Sequence, residues 1–450
     1  TGKMLDNRDG LIASNQNLTI YNDSTQNRSG KILAGKDNQL NIKDLHNQQG
    51  LIEGHNLSIT GNHLDNTSGK IHGNDQVVLT LDKTLNTQNG EITSAKDLTI
   101  IASNHQVNTP SELKINIDGS ELLAGNDLLI NGQALVGKGT LAAGQDLTLL
   151  LTDDLITSST IQAGRDLLID TDGNLTNSGE ITSLGSAMIH ANDIVNIEQG
   201  SIEANQKVVL TSQNNLENRG LINSNGLTHL DVQGTIYNIA TGKIYGDLIA
   251  INAKELHNTY EAIDGKKVSG SIAAREQLNI GVDYLLNEEG ALLFSGNKLV
   301  IGGELDDNLN VAGNAGLVEN KSATIESLGD MYLGADKLVN SNEHFEVKHV
   351  EIGKEYLEWL RPEGSNEVYD KSLFRWENWS RAGRYRWATS KPITEAGIPG
   401  KTLLVEVNGA YCEDLNDPAT CTLIPGSDYL PDNPAWNYFG ITAPTNAPEK

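Results

Sequence analysis

The chain has 450 residues, of which 38% are hydrophobic and only 5% aromatic, which argues against one thick globular core of that length. Its 59 acidic against 33 basic side chains give a net charge of -26, which repels nucleic acid and anionic membrane surfaces and excludes both as expected partners. No apolar run approaches the roughly 18 residues that cross a bilayer, so no membrane insertion is expected, and Thr1-Gly2-Lys3-Met4 lacks the charged and apolar parts of a signal peptide.

A repeat is already running at Gly10, so the sequence reads as a stretch of a longer chain. Glycine, one variable residue and an aliphatic recur at Gly10-Leu11-Ile12, Gly30-Lys31-Ile32, Gly50-Leu51-Ile52, Gly69-Lys70-Ile71 and Gly90-Glu91-Ile92. The phrase returns, with longer gaps, from Gly139-Thr140-Leu141 to Gly290-Ala291-Leu292. Each unit then carries an alternating pair, such as Leu18 and Ile20, Leu40 and Ile42, or Leu167 and Ile169, and a period of two predicts a strand. A third phrase closes many units, as in Leu45-His46-Asn47, Leu64-Asp65-Asn66, Leu216-Glu217-Asn218 and Leu338-Val339-Asn340. Asn tolerates the left-handed conformation and bonds to local backbone. Each Asn is therefore expected at a corner, with the following Gly at positive φ.

The unit is thus three short strands and three turns in about 20 residues. One unit cannot bury its single row of aliphatics, but stacked units pair their strands about 4.8 Å apart and set Ile upon Ile. The fold class is all-β, a parallel β-helix, right-handed because parallel crossovers are. Apolar residues at helical spacing are missing, and a propeller blade needs about 40 residues. Roughly sixteen coils predict a rod of about 75 to 80 Å. The rhythm breaks around Ser103 to Ile117, Thr259 to Val268 and Glu304 to Asn320, and insertions in solenoids become loops that often decorate a binding face.

Catalytic chemistry is not expected. Asp153 with Asp154 and Asp306 with Asp307 are adjacent in sequence, which on a strand turns them to opposite sides and suits solvated turns. Motifs for metal, nucleotide or nucleophile are absent, so no enzyme, cofactor or metal site is predicted. His46 and His257 fall on the corner phrase, which predicts exposure.

Repeat grammar stops near residue 345, giving two regions, 1–344 and 345–450. All five tryptophans and nine of the ten prolines lie beyond residue 350, so the second region is smaller, aromatic- and proline-rich. Lys354 to Arg361 fits one or two helical turns, and Val347, Val350 and Ile352 fit a continuing strand. The run from Arg375 to Lys391 holds five basic residues and one acidic. Within it Trp376, Trp379, Arg381, Arg384, Tyr385, Arg386 and Trp387 are the types that dominate interface hot spots, and they form the candidate receptor-binding surface. The same tryptophans could instead supply the core of a small cap. Cys412 and Cys421 are the candidate disulfide, in an oxidising compartment. The proline-rich end is expected to be extended.

Taken as a set over residues 1 to 342, the G-x-I, L-x-I and L-x-N phrases resemble the filamentous-haemagglutinin-type repeats of very large exoproteins secreted by two-partner systems of Gram-negative bacteria. Contact-dependent growth inhibition toxins and related adhesins belong to that group. The resemblance implies a secreted stalk displayed on the cell surface, followed by a region that engages a receptor, and Leu338 to Val347 looks like the exit from the repeats. The implied partner is an outer-membrane protein or surface glycan of a target cell, with a host-cell adhesin as the alternative and a carbohydrate-active β-helix enzyme as a third reading. A monomer is expected.

Overall fold

The computed structural model describes residues 2–103 and 111–346, and beyond them the backbone of seven short strands between Glu358 and Leu423. The chain divides into two compact units, Thr1–Phe345 and Glu346–Lys450.

The first unit is the expected right-handed parallel β-helix, built on three ladders. The G-x-I phrases form the first face, an unbroken parallel series from Leu11–Ser14 to Thr324–Ser327. Its inward column sets Ile32 against Ile52, Ile52 against Ile71, Ile71 against Ile92, and so on to Leu293 against Ile325. The L-x-I pairs form the second face, for example Leu147 on Leu167 and Leu149 on Ile169. The L-x-N phrases form the third, for example Leu216 on Ile236. Inward side chains such as Ile52, Ile92, Leu149 and Ile169 are 0% exposed, so the three columns make one continuous narrow core.

Two details of the corner differ from the sequence expectation. The asparagines of the third phrase stand at the corner and bond to local backbone as expected, Asn47 Nδ2 reaching the Gly50 carbonyl at 3.2 Å, but Asn47, Asn66, Asn177, Asn218 and Asn258 are also fully buried, whereas Asn340 in the last strand is exposed. They form amide ladders in which Asn27 Nδ2 donates to Asn47 Oδ1 at 2.7 Å and Asn47 Nδ2 to Asn66 Oδ1 at 2.7 Å. A second run climbs from Asn177 through Asn196, Asn218, Asn238, Asn258, Asn287 and Asn320 to Asn340, with bonds of 2.8 to 2.9 Å. Between the runs, Thr87, Ile117, Gly137 and Thr157 occupy the asparagine position, and serine hydroxyls such as Ser120 Oγ on the Thr87 carbonyl, at 2.5 Å, take over part of the bonding. The second difference is that at the first five corners positive φ falls on the residue before the glycine, with Asp9, Ser29, Gln49, Ser68 and Asn89 at 53 to 57°, whereas Gly290, at φ 80°, adopts it as the sequence led one to expect. The glycine is needed for space, because a Cβ at Gly50 would stand 2.3 Å from the Asn27 carbonyl oxygen.

Two of the insertions are β-hairpins. Tyr260–Ile263 pairs antiparallel with Lys266–Ser269 through Asp264 at φ 50° and Gly265 at φ 74°, the backbone of a type I′ turn. Glu304 and Leu305 pair with Ala312 and Val311, and this hairpin is pinned over the second face by Asn279 Nδ2, which donates to the Leu309 carbonyl at 2.7 Å. Part of the insertion near Ser103 lies outside the described residues.

In the second unit the pairing is antiparallel. Glu358–Pro362 runs as a strand between Tyr369–Asp370 and Leu404–Asn408, where the sequence allowed helical turns as far as Arg361, while Val347, Val350 and Ile352 lie outside the described residues. Phe374–Ser380 forms a hairpin with Arg384–Thr389, and Ala410–Cys412 another with Cys421–Leu423. The proline-rich end, from residue 424 onward, lies outside the described residues.

Candidate binding surfaces

Regular rungs present their outward side chains as flat columns, so any local specialisation of the rod must come from what those columns carry and from the hairpins that border them. Ion pairs lace successive rungs at the surface, such as Arg165 with Asp146 and Arg275 with Asp247. Such exposed pairs contribute little to stability. The carboxylate pairs singled out from the sequence sit as expected on exposed turns: Asp154 accepts the Asn174 amide at 2.8 Å, and Asp306 accepts those of Asn308 and Asn310. These backbone bonds hold the Asp306 carboxyl below the usual carboxylate range. Among the described residues, no three His, Cys, Asp or Glu side chains converge to hold a metal ion.

The third face carries one such specialised stretch, close to the hairpin at 260–269. Tyr237, His257 and Tyr284 come from three successive rungs and meet edge to face, with ring centroids 5.2 Å apart at 79° and 5.4 Å apart at 84°. His257 is therefore half-buried, as is His46, where the sequence predicted exposure; neighbours in the same column one rung away cover both. Charged partners fix the rings. Glu255 bonds His257 at 3.0 Å, and the Tyr284 hydroxyl donates to Glu319 at 2.8 Å. Burial and that bond, with Glu288 and Glu255 close by, push the Tyr284 hydroxyl well above the ordinary tyrosine range.

The hairpin stands at the margin of this face and is tied on both sides. Arg219 bridges Glu217 and Glu261, while Lys267 reaches Glu289 and lies 4.7 Å from the centroid of the Tyr260 ring. Glu289 also bonds His344 at 2.8 Å, and its hydrogen bonds, to Lys267 foremost and then to His344, hold its carboxyl below the usual range. Sequence reading located the insertion but missed the aromatic group. The usable signal was the variable position of the third phrase, Tyr237 in Ile-Tyr-Asn and His257 in Leu-His-Asn, read as a column across rungs.

The residues proposed from the sequence lie in the second unit. Trp376 stands opposite Trp387, Glu377 opposite Arg386, Asn378 opposite Tyr385 and Ser380 opposite Arg384. The register slips between Asn378 and Ser380, which leaves Trp379 as the extra residue of a bulge. One short hairpin thus gathers Trp376, Trp379, Arg384, Tyr385, Arg386 and Trp387, while Arg381 lies outside the described residues. Cys412 is the register partner of Cys421.

The chain matches the haemagglutinin repeat family over residues 1–54, 34–109, 112–179, 182–240 and 246–352. It is similar to the tRNA nuclease CdiA of Yersinia mollaretii, 28% identical over 228 residues that make up 50% of this chain and 7% of that protein. The tRNA nuclease CdiA of Escherichia coli O6:K15:H31 is 25% identical over 394 residues, 76% of this chain and 11% of the relative. The toxin CdiA of Yersinia pestis is 30% identical over 214 residues, 45% and 6%. The chain therefore spans about a tenth or less of these relatives. No solved structure matches it.

Proposed function

This chain belongs to the haemagglutinin repeat family, and from that premise we propose that it is the stalk end and the start of the receptor-binding region of a contact-dependent growth inhibition exoprotein. The family and the solenoid mark the repeat-built unit as a structural element of a secreted, surface-exposed protein of Gram-negative type. In this proposal the rod holds the second unit away from the producing cell, and the second unit engages an outer-membrane protein on a target bacterium. The nuclease activities in the relatives' names stay with those proteins.

The observation that carries the reading is the change of pairing. The last rod strand, Ala335–Ser341, is parallel to its neighbour, and the strands from Glu358 onward are antiparallel and include a hairpin rich in Trp and Arg. In this proposal the protein receptor is engaged where the repeat ends, because a regular column of repeated turns offers the same chemistry many times over. The purified chain is expected to bind Gram-negative target cells, and replacing Trp376, Trp379 and Arg384 together by alanine should weaken that binding tenfold or more. Binding confined to epithelial cells would favour the adhesin reading, and undiminished binding by a folded triple variant would remove this hairpin from the interface.

We further propose that Cys412 and Cys421 are joined. Directly opposed residues of an antiparallel pair have Cα atoms about 4.5 to 5.5 Å apart, inside the window of roughly 4.4 to 6.8 Å that a disulfide spans. Peptide mapping without reductant should recover one cross-linked species containing both cysteines. Two separately alkylated peptides would refute the pairing.

A further inference from the structure

We propose that the third face around Tyr237, His257 and Tyr284 is a carbohydrate-binding platform, separate from the hairpin of the second unit and independent of the reading given to it. Tyr237 and Tyr284 stand two rungs apart, about 10 Å along the rod at strand spacing, which is the span of two linked pyranose rings. A pyranose presents a flat array of C–H bonds to an aromatic ring and a rim of hydroxyls to the side chains around it. This face supplies both. Tyr237, His257 and Tyr284 are half-buried, so each ring is anchored by its neighbours yet still reaches the surface.

The rim is preorganised. Glu255 is held by His257 at 3.0 Å, Glu319 by Lys321 at 2.9 Å and by the Tyr284 hydroxyl at 2.8 Å, and Glu288 by the Thr259 hydroxyl at 2.6 Å. A carboxylate has about four lone-pair sites, so each of these groups keeps acceptors for sugar hydroxyls without having to be ordered first. Beside the floor stands the hairpin at 260–269, fixed by Arg219 to Glu261 and by Lys267 to Glu289, which supplies an edge against which a chain of sugars can lie.

Local charge selects the same class of ligand. In a chain of net charge -26, Glu217, Glu319 and Glu289 each have a cationic partner here, which suits a neutral polyhydroxylated ligand better than a highly charged one. A protein partner would call for a desolvated apolar centre. The apolar side chains of this face, Leu286 and Leu317, are interleaved with Tyr284, Glu319 and Glu288 and form no such centre.

The test is an array of defined oligosaccharides, including fragments of bacterial surface polysaccharides, probed with the purified full chain. At least one glycan should be retained, and Tyr237→Ala and Tyr284→Ala should each lower retention about tenfold. Tyr284→Phe, which keeps the ring and loses the bond to Glu319, should lower it less, and the triple alanine variant at Trp376, Trp379 and Arg384 should leave it unchanged. Retention of no glycan overturns the proposal. So does equal retention by a Tyr237→Ala, Tyr284→Ala double variant with an unaltered circular dichroism spectrum, or retention of deglycosylated membrane proteins alone, which would make the face a protein-docking surface.

Discussion

Gly50→Ala is expected to destabilise the first coils of the rod by about 3 kcal/mol through overpacking. The new methyl carbon would lie 2.3 Å from the Asn27 carbonyl oxygen and 2.4 Å from Asn47 Oδ1, contacts that no real Cβ makes, and both neighbours are fixed. The Asn27 carbonyl belongs to the coil below, and Asn47 is locked in the amide ladder through Asn27 and Asn66. Relief therefore requires two coils to separate. Because a solenoid behaves as a chain of nearest-neighbour interfaces, the loss should be local: hydrogen exchange in the coils around residues 27–71 should quicken while exchange near residues 230–260 stays as it was.

Gly265→Ala is the informative control. Gly265 sits at φ 74° with nothing within 4 Å of the added carbon, so it bears backbone strain with no steric conflict. Its cost should be about 1 kcal/mol and confined to the hairpin tip. If the two substitutions proved equally mild, the account of the corner glycines as spacers would be wrong.

That comparison also shows what the sequence carries and what it withholds. The period of about twenty and the alternation of Leu18 with Ile20 or Leu167 with Ile169 determine strand, face and register, because only one parity buries the aliphatics. The corner phrase was ambiguous. Asn in a turn and Asn in a buried ladder give the same letters, and only the stacking of Asn27 on Asn47 at hydrogen-bond distance distinguishes them. Likewise Gly50 looks like a residue chosen for positive φ, yet Gln49 holds that conformation at 57°. The aromatic group was hidden for another reason. Tyr237 and His257 share a column, but Tyr284 stands in the column of Thr235 and Glu255, two residues over, so no single position of the repeat phrase aligns all three. The hairpin at 374–389 was visible as composition but not as register, since nothing in the letters dictates that Trp379 occupies a bulge.

Asn238→Ala tests the ladder itself and should cost about 4 kcal/mol, more than an average core truncation of similar size. Asn238 Nδ2 donates to Asn258 Oδ1 at 2.8 Å, to the Gly242 carbonyl at 3.2 Å and to the Ser271 carbonyl at 3.3 Å, while its Oδ1 accepts from Asn218 Nδ2 at 2.9 Å. Alanine removes every one of these partners at 0% exposure, where water cannot replace them, so both flanking amides lose a bond. Thr157→Ala, in the stretch without asparagines, should cost less, about 1 kcal/mol, because the hydroxyl of Thr157 takes part in far fewer bonds. Asn238→Asp separates charge from shape. A carboxylate there would face the Asn258 oxygen and two carbonyls with no donor of its own, so its folded pKa must rise above the unfolded value of about 3.9. Between those two values the folded state holds the additional proton. The stability of Asn238→Asp should therefore rise as pH falls through that window, and the charge penalty should be gone below about pH 4. Thermal melts of the aspartate variant at pH 7 and pH 4, set beside those of Asn238→Ala, would show it. An aspartate variant no more stable at pH 4 than at pH 7, relative to the parent chain, would mean that the amide at 238 is solvated in the folded protein and that the column of asparagines does not hold the coils together.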